Sequence, residues 1–441
     1  MDFEKLGRKV GKIIDDSHIA EPGRHLRKVL NLDYKKLTHQ VAEIVNDTPV
    51  ADIHTHIYSE DFGDLLLWGI DELLTYHYLV AELFRYKPDL DYKTYWNMPK
   101  KDQAELVWRE MFVKNSPISE SARGVVTVLN KLGLDVGDKD LNKIRRFFAQ
   151  FYTSRYIDKV FELANVKYAI MTNDPFDKKE QAVWNSAGNT DSRFRAALRI
   201  DGLLNDFPQF SKEINSQGFK ITSDKVDNEA ITATRDFLKT WIEKIKPVYI
   251  AASLPPDLRL DDGSDRAKLI LECVIPVARE HGLAFAMMIG AKRSLNPALR
   301  LAGDGVGKAD VETIATLARD CPDVRFLVTM LSRENQHELC VTARKFKNLL
   351  LFGCWWFLNN PSIIREMTAE RIETLGLTMI PQHSDARVLD QLIYKWSHSR
   401  EIIAEVLAEK YFDITAAGWP VTKNDIKKDV NRILGGQLLL K

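Results

Sequence analysis

The sequence predicts an α/β protein whose parallel strands close into a (β/α)8 barrel of the TIM-barrel class. Eight short apolar runs occur along the chain, and polar stretches with helix-spaced apolar residues separate them. Eight strands alternating with helices is the pattern of such a barrel. A third observation disfavours the main alternative, an open doubly wound sheet, because no glycine-rich dinucleotide loop follows the first run.

The eight predicted strands are nearly continuous runs of apolar, β-branched or aromatic residues, as strands buried on both faces require. They lie at residues 49–56, 166–174, 194–201, 247–254, 283–290, 324–331, 349–357 and 377–386. The first run, PVADIHTH, ends in histidines, and the last, LTMIPQHSDA, contains a histidine and an aspartate. In a barrel the carboxyl-terminal strand ends carry the active site, so these polar residues are the first candidates for chemistry.

Two helical segments accompany the predicted barrel. Residues 1–49 are predicted to form a polar, helical N-terminal segment, and residues 50–435 form the barrel. Residues 57–165, between the first and second strands, carry helix-spaced apolar residues and are predicted to be a helical insertion. The insertion leaves the carboxyl-terminal end of the first strand, so we expect it to form a wall or cap over the active site.

Composition limits the partners of the protein. The 441 residues include 62 Lys plus Arg and 62 Asp plus Glu, and this zero net charge disfavours nucleic acid as a partner. The sequence shows no signal-peptide pattern and no apolar run of about 18 residues, so no membrane span is expected. The four cysteines form no C-x-x-C pair and are expected to be reduced thiols of a cytoplasmic protein.

A metal site is predicted at the end of the first strand. His54 and His56 lie two residues apart, so their side chains point to the same side of the strand. Two imidazoles there suit a divalent metal, although most isolated H-x-H pairs are incidental. None of the middle strands ends in a histidine, whereas Asp385 in the eighth run can complete a site of two nitrogens and one oxygen. His383 shares the face of Asp385 and is expected to support the site.

The H-x-H on the first strand and the aspartate on the eighth resemble the amidohydrolase superfamily. Binuclear members of that superfamily carry further ligands on strands four to six. Here those strands end in AASLPP, MMIGAK and TMLSRE, so the resemblance implies one metal rather than two.

More specific blocks resemble the uronate isomerase family, including a shorter bacterial branch of glucuronate isomerases. These blocks are LLTYHYLVAEL, LLFGCWWFLNNP and HSDARVLDQLIYKWSHSR, and the likeness extends over residues 45–435. Four positions depart from the longer members. Met288 stands where they have a histidine, Ser384 and Ala386 stand where they have a threonine and a serine, and no arginine matches theirs near Ala81. These departures bear on metal affinity, turnover and substrate preference.

The resemblance implies an aldose–ketose isomerase that acts on uronic acids. Such an enzyme interconverts D-glucuronate with D-fructuronate, D-galacturonate with D-tagaturonate, or both, by enediol proton transfer. It also implies one divalent metal, with Zn²⁺ first among the candidates, and a small-molecule uronic acid as the partner. Barrels of this family are often oligomeric, so a homo-oligomer is also compatible with the resemblance.

The resemblance further assigns roles to polar residues. Tyr78 is the candidate proton shuttle between C1 and C2, and we expect a neighbouring Arg387 to lower its pKa and to stabilise the developing oxyanion. His77 would bind the carboxylate or a hydroxyl of the substrate. Asp385 would hold the metal and take a hydroxyl proton during ring opening, and His56 would lie against substrate oxygens.

Three more residues are candidates for substrate binding. Arg199 matches a family arginine and could clamp the substrate carboxylate, but a rim salt bridge with Asp201 explains it equally well on sequence alone. Trp355 and Trp356 are expected to alternate faces on the seventh strand, one packing against helices and the other lining the pocket. The pocket position is assigned to Trp356.

Two other functions compete with the isomerase. A metal-dependent hydrolase would activate water with the metal and Asp385, but it predicts extra ligands on strands four to six. A non-catalytic binder of sugar acids would explain the absence of a histidine at Met288. The set of Tyr78, Arg199 and Arg387 suits an anionic sugar better than a hydrolytic water, and turnover of a uronate separates the isomerase from the binder.

Overall fold

The structure is a computed structural model that describes residues 31–186 and 188–439; residues 1–30, and with them most of the predicted N-terminal segment, lie outside the described residues. Its strands are β1 Val50–Thr55, β2 Val166–Asn173, β3 Phe194–Arg199, β4 Tyr249–Leu254, β5 Ala284–Ile289, β6 Ala291–Lys292, β7 Gly305–Val306, β8 Phe326–Met330 and β9 Leu349–Leu351. Seven of them form one parallel sheet in the order β1-β2-β3-β4-β5-β8-β9, and β6 and β7 form an antiparallel hairpin. The α/β class with a parallel sheet is therefore confirmed.

Helices connect the strands of the large sheet. Before β2 they are α1 Asn31–Asp47, α2 Ile70–Leu74, α3 His77–Tyr86, α4 Tyr92–Asn97, α5 Lys100–Trp108, α6 Glu120–Lys131, α7 Leu141–Phe148 and α8 Thr153–Ala164. After β2 they are α9 Lys178–Asn185, α10 Asp201–Asn205, α11 Phe207–Ser216, α12 Asn228–Ile245, α13 Asp265–Lys268, α14 Ile275–His281, α15 Glu312–Asp320, α16 Gln336–Ala343, α17 Pro361–Leu375, α18 Gln391–Ala416 and α19 Lys423–Leu434. None of the described helices is both long and apolar enough to cross a membrane.

The parallel sheet curls around an apolar cluster to which all seven of its strands contribute. In β4, Tyr249 and Ala251 belong to this inner cluster, whereas Ile250 and Ala252 pack in a second cluster with the surrounding helices. Successive strand residues point to opposite faces, so a strand covered on both sides must be apolar at every position. This explains why the strand sequences are continuous rather than alternating. Met288 of β5 belongs to the inner cluster and is 2% exposed.

The eighth predicted run, residues 377–386, differs from the prediction because it is not a strand. It makes isolated hydrogen bonds with both edges of the sheet. On one side the Ile380 amide donates to the Leu351 carbonyl of β9 over 3.0 Å. On the other side the His56 amide, just after β1, donates to the Ala386 carbonyl over 2.7 Å. The run therefore lies between β9 and β1 without forming a regular ladder with either.

Two residues of this run explain why it is irregular. Pro381 has no amide hydrogen to donate to a ladder. Asp385 has a φ of 50°, in the left-handed region, which turns the chain away from an extended course. The sequence itself shows Pro381, which argues against a regular strand, whereas the φ of Asp385 cannot be deduced from the apolar pattern.

The insertion between β1 and β2 is mostly helical and is tied to the start of α18. The Gly69 amide donates to Asp390 Oδ2 over 2.8 Å, and the Tyr156 hydroxyl of α8 donates to Asp390 Oδ1. Burial raises the pKa of the Asp390 carboxyl to about 6. The same helix bundle places His77, the first residue of α3, above the carboxyl-terminal end of β1.

The opposite end of the sheet is covered by the C-terminal tail. The Arg325 guanidinium donates to the carbonyls of Leu438 and Leu439, and the Leu439 side chain joins the inner apolar cluster. Gly436 passes against the Tyr168 hydroxyl with a φ of 79°. The tail thus fills the amino-terminal side of the sheet, away from the candidate site.

Candidate metal centre and its pocket

Three side chains with metal-ligand chemistry converge where β1 ends. His54 and His56 come from β1 and the residue after it, and Asp385 comes from the irregular run beside them. Asp385 Oδ1 lies 3.3 Å from His56 Nε2 and 3.7 Å from His54 Nε2, and the three potential ligand atoms lie within 4.8 Å of one another. The structure thus brings together the three residues that were predicted as ligands, although the histidines and Asp385 lie far apart in the sequence.

Hydroxyl groups fix the tautomer of both histidines. Tyr249 donates its hydroxyl to the Ile53 carbonyl over 2.7 Å, so at 3.2 Å from His54 Nδ1 it can only accept the Nδ1 hydrogen. Thr172 likewise donates to a backbone carbonyl, that of Thr55, and its Oγ1 lies 2.8 Å from His56 Nδ1. Both imidazoles therefore keep the hydrogen on Nδ1 and turn the Nε2 lone pair toward Asp385, as metal-binding histidines do.

Burial keeps both imidazoles neutral. It lowers the pKa of His54 to about 3, with the neighbouring His56 as the next cause. Burial also holds the pKa of His56 well below its usual range, aided by the charges of Arg387 and Arg199. A histidine must be unprotonated to bind a metal, so at neutral pH no proton competes for these two nitrogens.

The donor set fits a divalent metal. His54 Nε2 and Asp385 Oδ1 are buried and have no hydrogen-bond partner among the described residues. Buried polar atoms are rarely left unpaired, so a partner that binds lone pairs is expected between them. Two imidazole nitrogens and one carboxylate oxygen suit Zn²⁺, Mn²⁺ or Fe²⁺ and leave coordination positions open.

A cavity opens directly beside these three side chains. Its lining combines the candidate ligands with basic, aromatic and small polar residues: His56, Tyr76, His77, Arg199, Asp201, Ser253, Arg293, Leu301, Trp355, Trp356, Asp385 and Arg387. Of the residues predicted to bind substrate or take part in catalysis, all except Tyr78 line this cavity.

The arginines of the cavity differ in their pairing. Arg199 Nε donates to Asp201 Oδ2 over 2.8 Å, so the predicted rim salt bridge is present, and this contact is the main reason that the pKa of Arg199 is raised. Arg293 is paired with Asp304 at 2.5 Å. The Arg387 guanidinium has neither a hydrogen bond nor an ion pair within the described part of the chain. Arg387 is thus the arginine of this lining that an anionic ligand meets without a competing carboxylate.

Tyr78 lies in a different environment from the one predicted. It lines a neighbouring cavity, which shares Trp356 with the first one, whereas Tyr76 lines the cavity beside the candidate ligands. The expected lowering of the Tyr78 pKa was wrong. Burial dominates and holds the pKa of Tyr78 well above its usual value. The charge of Arg387 acts in the lowering direction but is smaller than the causes that raise the pKa. His77, between the two tyrosines, has its pKa lowered to about 3, chiefly by burial.

The two tryptophans do not alternate on a strand as predicted. β9 ends at Leu351, and Trp356 begins a short 3-10 turn with a φ of 47°. As a result both Trp355 and Trp356 line the cavity, rather than Trp356 alone. Trp356 Nε1 is buried without a hydrogen-bond partner in the described structure, and the Arg293 guanidinium lies 5.5 Å from the centre of its ring.

Several residues of the site were missed by sequence reasoning. Tyr249 could have been found from the period of two along β4, which points it into the inner cluster together with Ala251. Thr172 lies near the carboxyl-terminal end of β2, the end of a barrel strand where site residues are expected, and this position could have indicated it. No pattern indicated Arg293, because it reaches the cavity from the unpredicted β6–β7 hairpin.

Comparison with solved structures identifies the family of this site. A uronate isomerase from Bacillus halodurans superposes with a TM-score of 0.90 and is 51% identical in sequence, over 92% of this chain and 96% of that one. The chain belongs to the uronate isomerase family.

Two more distant structures share the fold. A uronate isomerase from Thermotoga maritima aligns with a TM-score of 0.73 at 14% identity, over 92% of this chain and 97% of that one. A glucuronate isomerase from Caulobacter crescentus aligns with a TM-score of 0.74 at 15% identity, over 92% of this chain and 94% of that one. The sequence matches no family model, and no match was found among curated proteins.

Proposed function

We propose that the protein is an isomerase of uronic acids, interconverting D-glucuronate with D-fructuronate, D-galacturonate with D-tagaturonate, or both. The observation that carries this proposal is the 51% identity to a uronate isomerase over nearly the full chain. The cavity agrees with it, because arginines and hydrogen-bonding aromatic residues surround a candidate metal centre. A carboxylated sugar offers the anionic group and the hydroxyls that such a lining would bind.

We propose one divalent metal, Zn²⁺ in the first instance, between His54, His56 and Asp385. When bound, such an ion supplies Lewis-acid polarisation of a substrate oxygen. Met288 lies in the inner apolar cluster, and its thioether is a soft ligand that suits Zn²⁺ less well than imidazole or carboxylate does. We therefore propose a mononuclear centre.

The arginines are proposed to hold the anionic substrate. Arg387 is free of carboxylate partners among the described residues and would form charge-assisted hydrogen bonds with a substrate oxygen. Arg199 is already partly neutralised by Asp201, so its contribution to carboxylate binding is proposed to be smaller. His77 Nε2 is buried and lacks a partner within the described residues, which suits it to a substrate hydroxyl or carboxylate.

The reaction moves a proton from C2 to C1 of the open-chain sugar, and the accompanying hydroxyl proton passes from O2 to O1. We propose Tyr78 for the carbon-bound proton, because its buried hydroxyl has no hydrogen-bond partner in the described structure and it lines the cavity that adjoins the candidate site at Trp356. Tyr76, by contrast, is hydrogen-bonded to Gln391. Because burial holds the pKa of Tyr78 well above its usual value of 10.0, the phenol is protonated at neutral pH, and an increase in turnover from its deprotonation is expected only above pH 10.

We also propose that the run 377–386 closes the sheet into a barrel by occupying the position of an eighth strand, although it is irregular. Its hydrogen bonds to β9 and to the end of β1 support this proposal. The helices between β1 and β2 are proposed to act as a cap, since they place His77 in the lining of the cavity.

The direct test is proton NMR of the purified protein with D-glucuronate, and separately D-galacturonate, in deuterated water with Zn²⁺ supplied. We expect a new ketose signal, with deuterium entering at the exchanging carbon. Ketose without deuterium would support isomerisation but refute exchange of the transferred proton with solvent. Absence of ketose from both sugars would refute the proposed function and favour a hydrolase or a non-catalytic binder.

The two tyrosines that flank His77 provide matched variants. Tyr78→Phe is expected to lower turnover by about 100-fold or more, as loss of a general acid–base group does. Tyr76→Phe removes the same atom from the same turn and is expected to lower turnover by less than about tenfold. The reverse order of the two effects would transfer the proposed role to Tyr76.

A further inference from the structure

Asp385 has an unusual backbone conformation for a residue that must hold a metal. Its φ of 50° lies in the left-handed region, which is uncommon for residues with a Cβ atom, although Asp enters it more readily than most of them. Such a conformation persists only where the surrounding structure determines it. The residues that fix this turn therefore also fix the position of the Asp385 carboxylate relative to His54 and His56.

A buried lysine holds the turn from one side. Lys395 of α18 is 4% exposed, and its Nζ donates to the Ser384 carbonyl over 2.6 Å, with the Asp385 carbonyl 3.5 Å away. Within the described residues Lys395 forms no ion pair with a carboxylate. Burial disfavours the ammonium form and lowers the pKa of Lys395, and the hydrogen bond to the Ser384 carbonyl offsets part of this cost.

A buried aspartate holds the same turn from the other side. Asp52 of β1 is completely buried, and its Oδ1 accepts the Ser384 amide over 3.0 Å. Its Oδ2 accepts the Trp396 indole hydrogen over 2.8 Å. Ser384 is therefore clamped at its N–H by an anion from the histidine-bearing strand and at its carbonyl by a cation from α18.

One face of α18 extends this clamp along the turn. Gln391, Lys395 and Ser399 lie four residues apart and so share a helix face. Gln391 Oε1 accepts the Arg387 amide over 2.9 Å, and Ser399 Oγ accepts the Gln382 side-chain amide over 3.3 Å. The helix thus contacts the turn before, at and after Asp385.

We propose that Asp52 and Lys395 are positioning residues that set the geometry of the metal centre by clamping Ser384. Neither is a proposed ligand, and neither lines the cavity that holds His56, Asp385 and Arg387. The inference rests on the metal site proposed above. It predicts that loss of either charge weakens metal binding even when the three ligands are intact.

The experiment measures Co²⁺ binding to the full chain, by titration against a competing chelator and by the visible d–d spectrum. Lys395→Met and Asp52→Asn are each expected to weaken Co²⁺ affinity by about 10–100-fold, as loss of supporting groups around a metal does, and to alter the spectrum. Lys410→Met is the control, since Lys410 lies on the same helix and pairs with Glu373 at the surface. It should leave affinity and spectrum unchanged.

The outcomes separate this inference from the metal site itself. His54→Ala must abolish tight Co²⁺ binding; if it does not, or if the unchanged protein fails to bind Co²⁺, the metal site is refuted and the inference with it. If His54→Ala abolishes binding while Lys395→Met and Asp52→Asn keep the affinity and the spectrum of the unchanged protein, only the inference is overturned. Circular dichroism of the metal-free proteins establishes whether each variant folds. If Lys395→Met does not fold, the Co²⁺ affinity of Asp52→Asn decides between the outcomes, because asparagine keeps the size of the side chain and one acceptor oxygen.

Discussion

Replacement of Tyr249 by phenylalanine tests the assignment of the histidine tautomers. The hydroxyl accepts the His54 Nδ1 hydrogen and donates to the Ile53 carbonyl, and both Tyr249 and His54 are completely buried. Without it the Nδ1–H has no acceptor and no access to water. The alternative tautomer, with the hydrogen on Nε2, then becomes more favourable, and in it the nitrogen that faces Asp385 cannot bind a metal.

The expected magnitude follows from these contacts. A buried hydrogen-bonding group left unpaired costs about 1–3 kcal/mol, so the loss of two bonds at Tyr249 should lower the free energy of unfolding by about 2–4 kcal/mol. Loss of the hydrogen bond that orients a histidine ligand should weaken metal affinity by about 10–100-fold. Urea unfolding of the metal-free protein measures the first quantity, and Zn²⁺ titration against a chelator measures the second.

Tyr168→Phe is the matched control. Tyr168 belongs to the same inner cluster, and its hydroxyl is buried but has no hydrogen-bond partner within the described residues. Its loss should therefore change stability and Zn²⁺ affinity little. The tautomer argument is refuted if Tyr249→Phe retains the Zn²⁺ affinity of the unchanged protein, or if Tyr168→Phe weakens it to the same extent.

Two further changes probe the fold. Gly436→Ala should lower stability by about 1–3 kcal/mol in urea unfolding, because its Cβ would collide with the Tyr168 hydroxyl. Gly418 also has a positive φ, but an added Cβ atom there would meet open space, so Gly418→Ala measures the cost of backbone strain alone. Equal losses of unfolding free energy in the two variants would contradict the proposed collision. Burial raises the Asp390 pKa from 3.8 to about 6, so the folded state binds more protons than the unfolded state in that window. Stability should therefore fall as pH rises from 4 to 6, by up to about 3 kcal/mol relative to Asp390→Asn; parallel pH profiles would contradict this.

The convergence of the proposed metal ligands could be predicted from sequence because it depends on a simple rule. His54 and His56 share a strand face, and the last run returns the chain to the first strand of a barrel, which brings Asp385 to them. The rule needs only the order and number of the runs. It does not depend on whether the last run is regular, which explains why the three side chains converge although the eighth run is not a strand.

Features that depend on long-range side-chain contacts could not be predicted. The acceptors for the two histidines, Tyr249 and Thr172, come from β4 and β2, and no local spacing connects them to β1. The pKa of Tyr78 depends on how completely the helices of the insertion exclude water, which the sequence of one turn does not reveal. Trp355 lines the cavity together with Trp356 because β9 ends at Leu351, before the end of the predicted strand 349–357.

The contact between Asp52 and Ser384 spans 332 residues of chain, and this has a consequence for how the protein is made. During synthesis His54 and His56 leave the ribosome long before Asp385 and the clamping helix α18. Two imidazoles alone, without the carboxylate, hold a divalent ion weakly in competition with cellular chelators. At the proposed metal site, loading would therefore follow synthesis of the chain through α18, and the ion would not nucleate folding of the first strand.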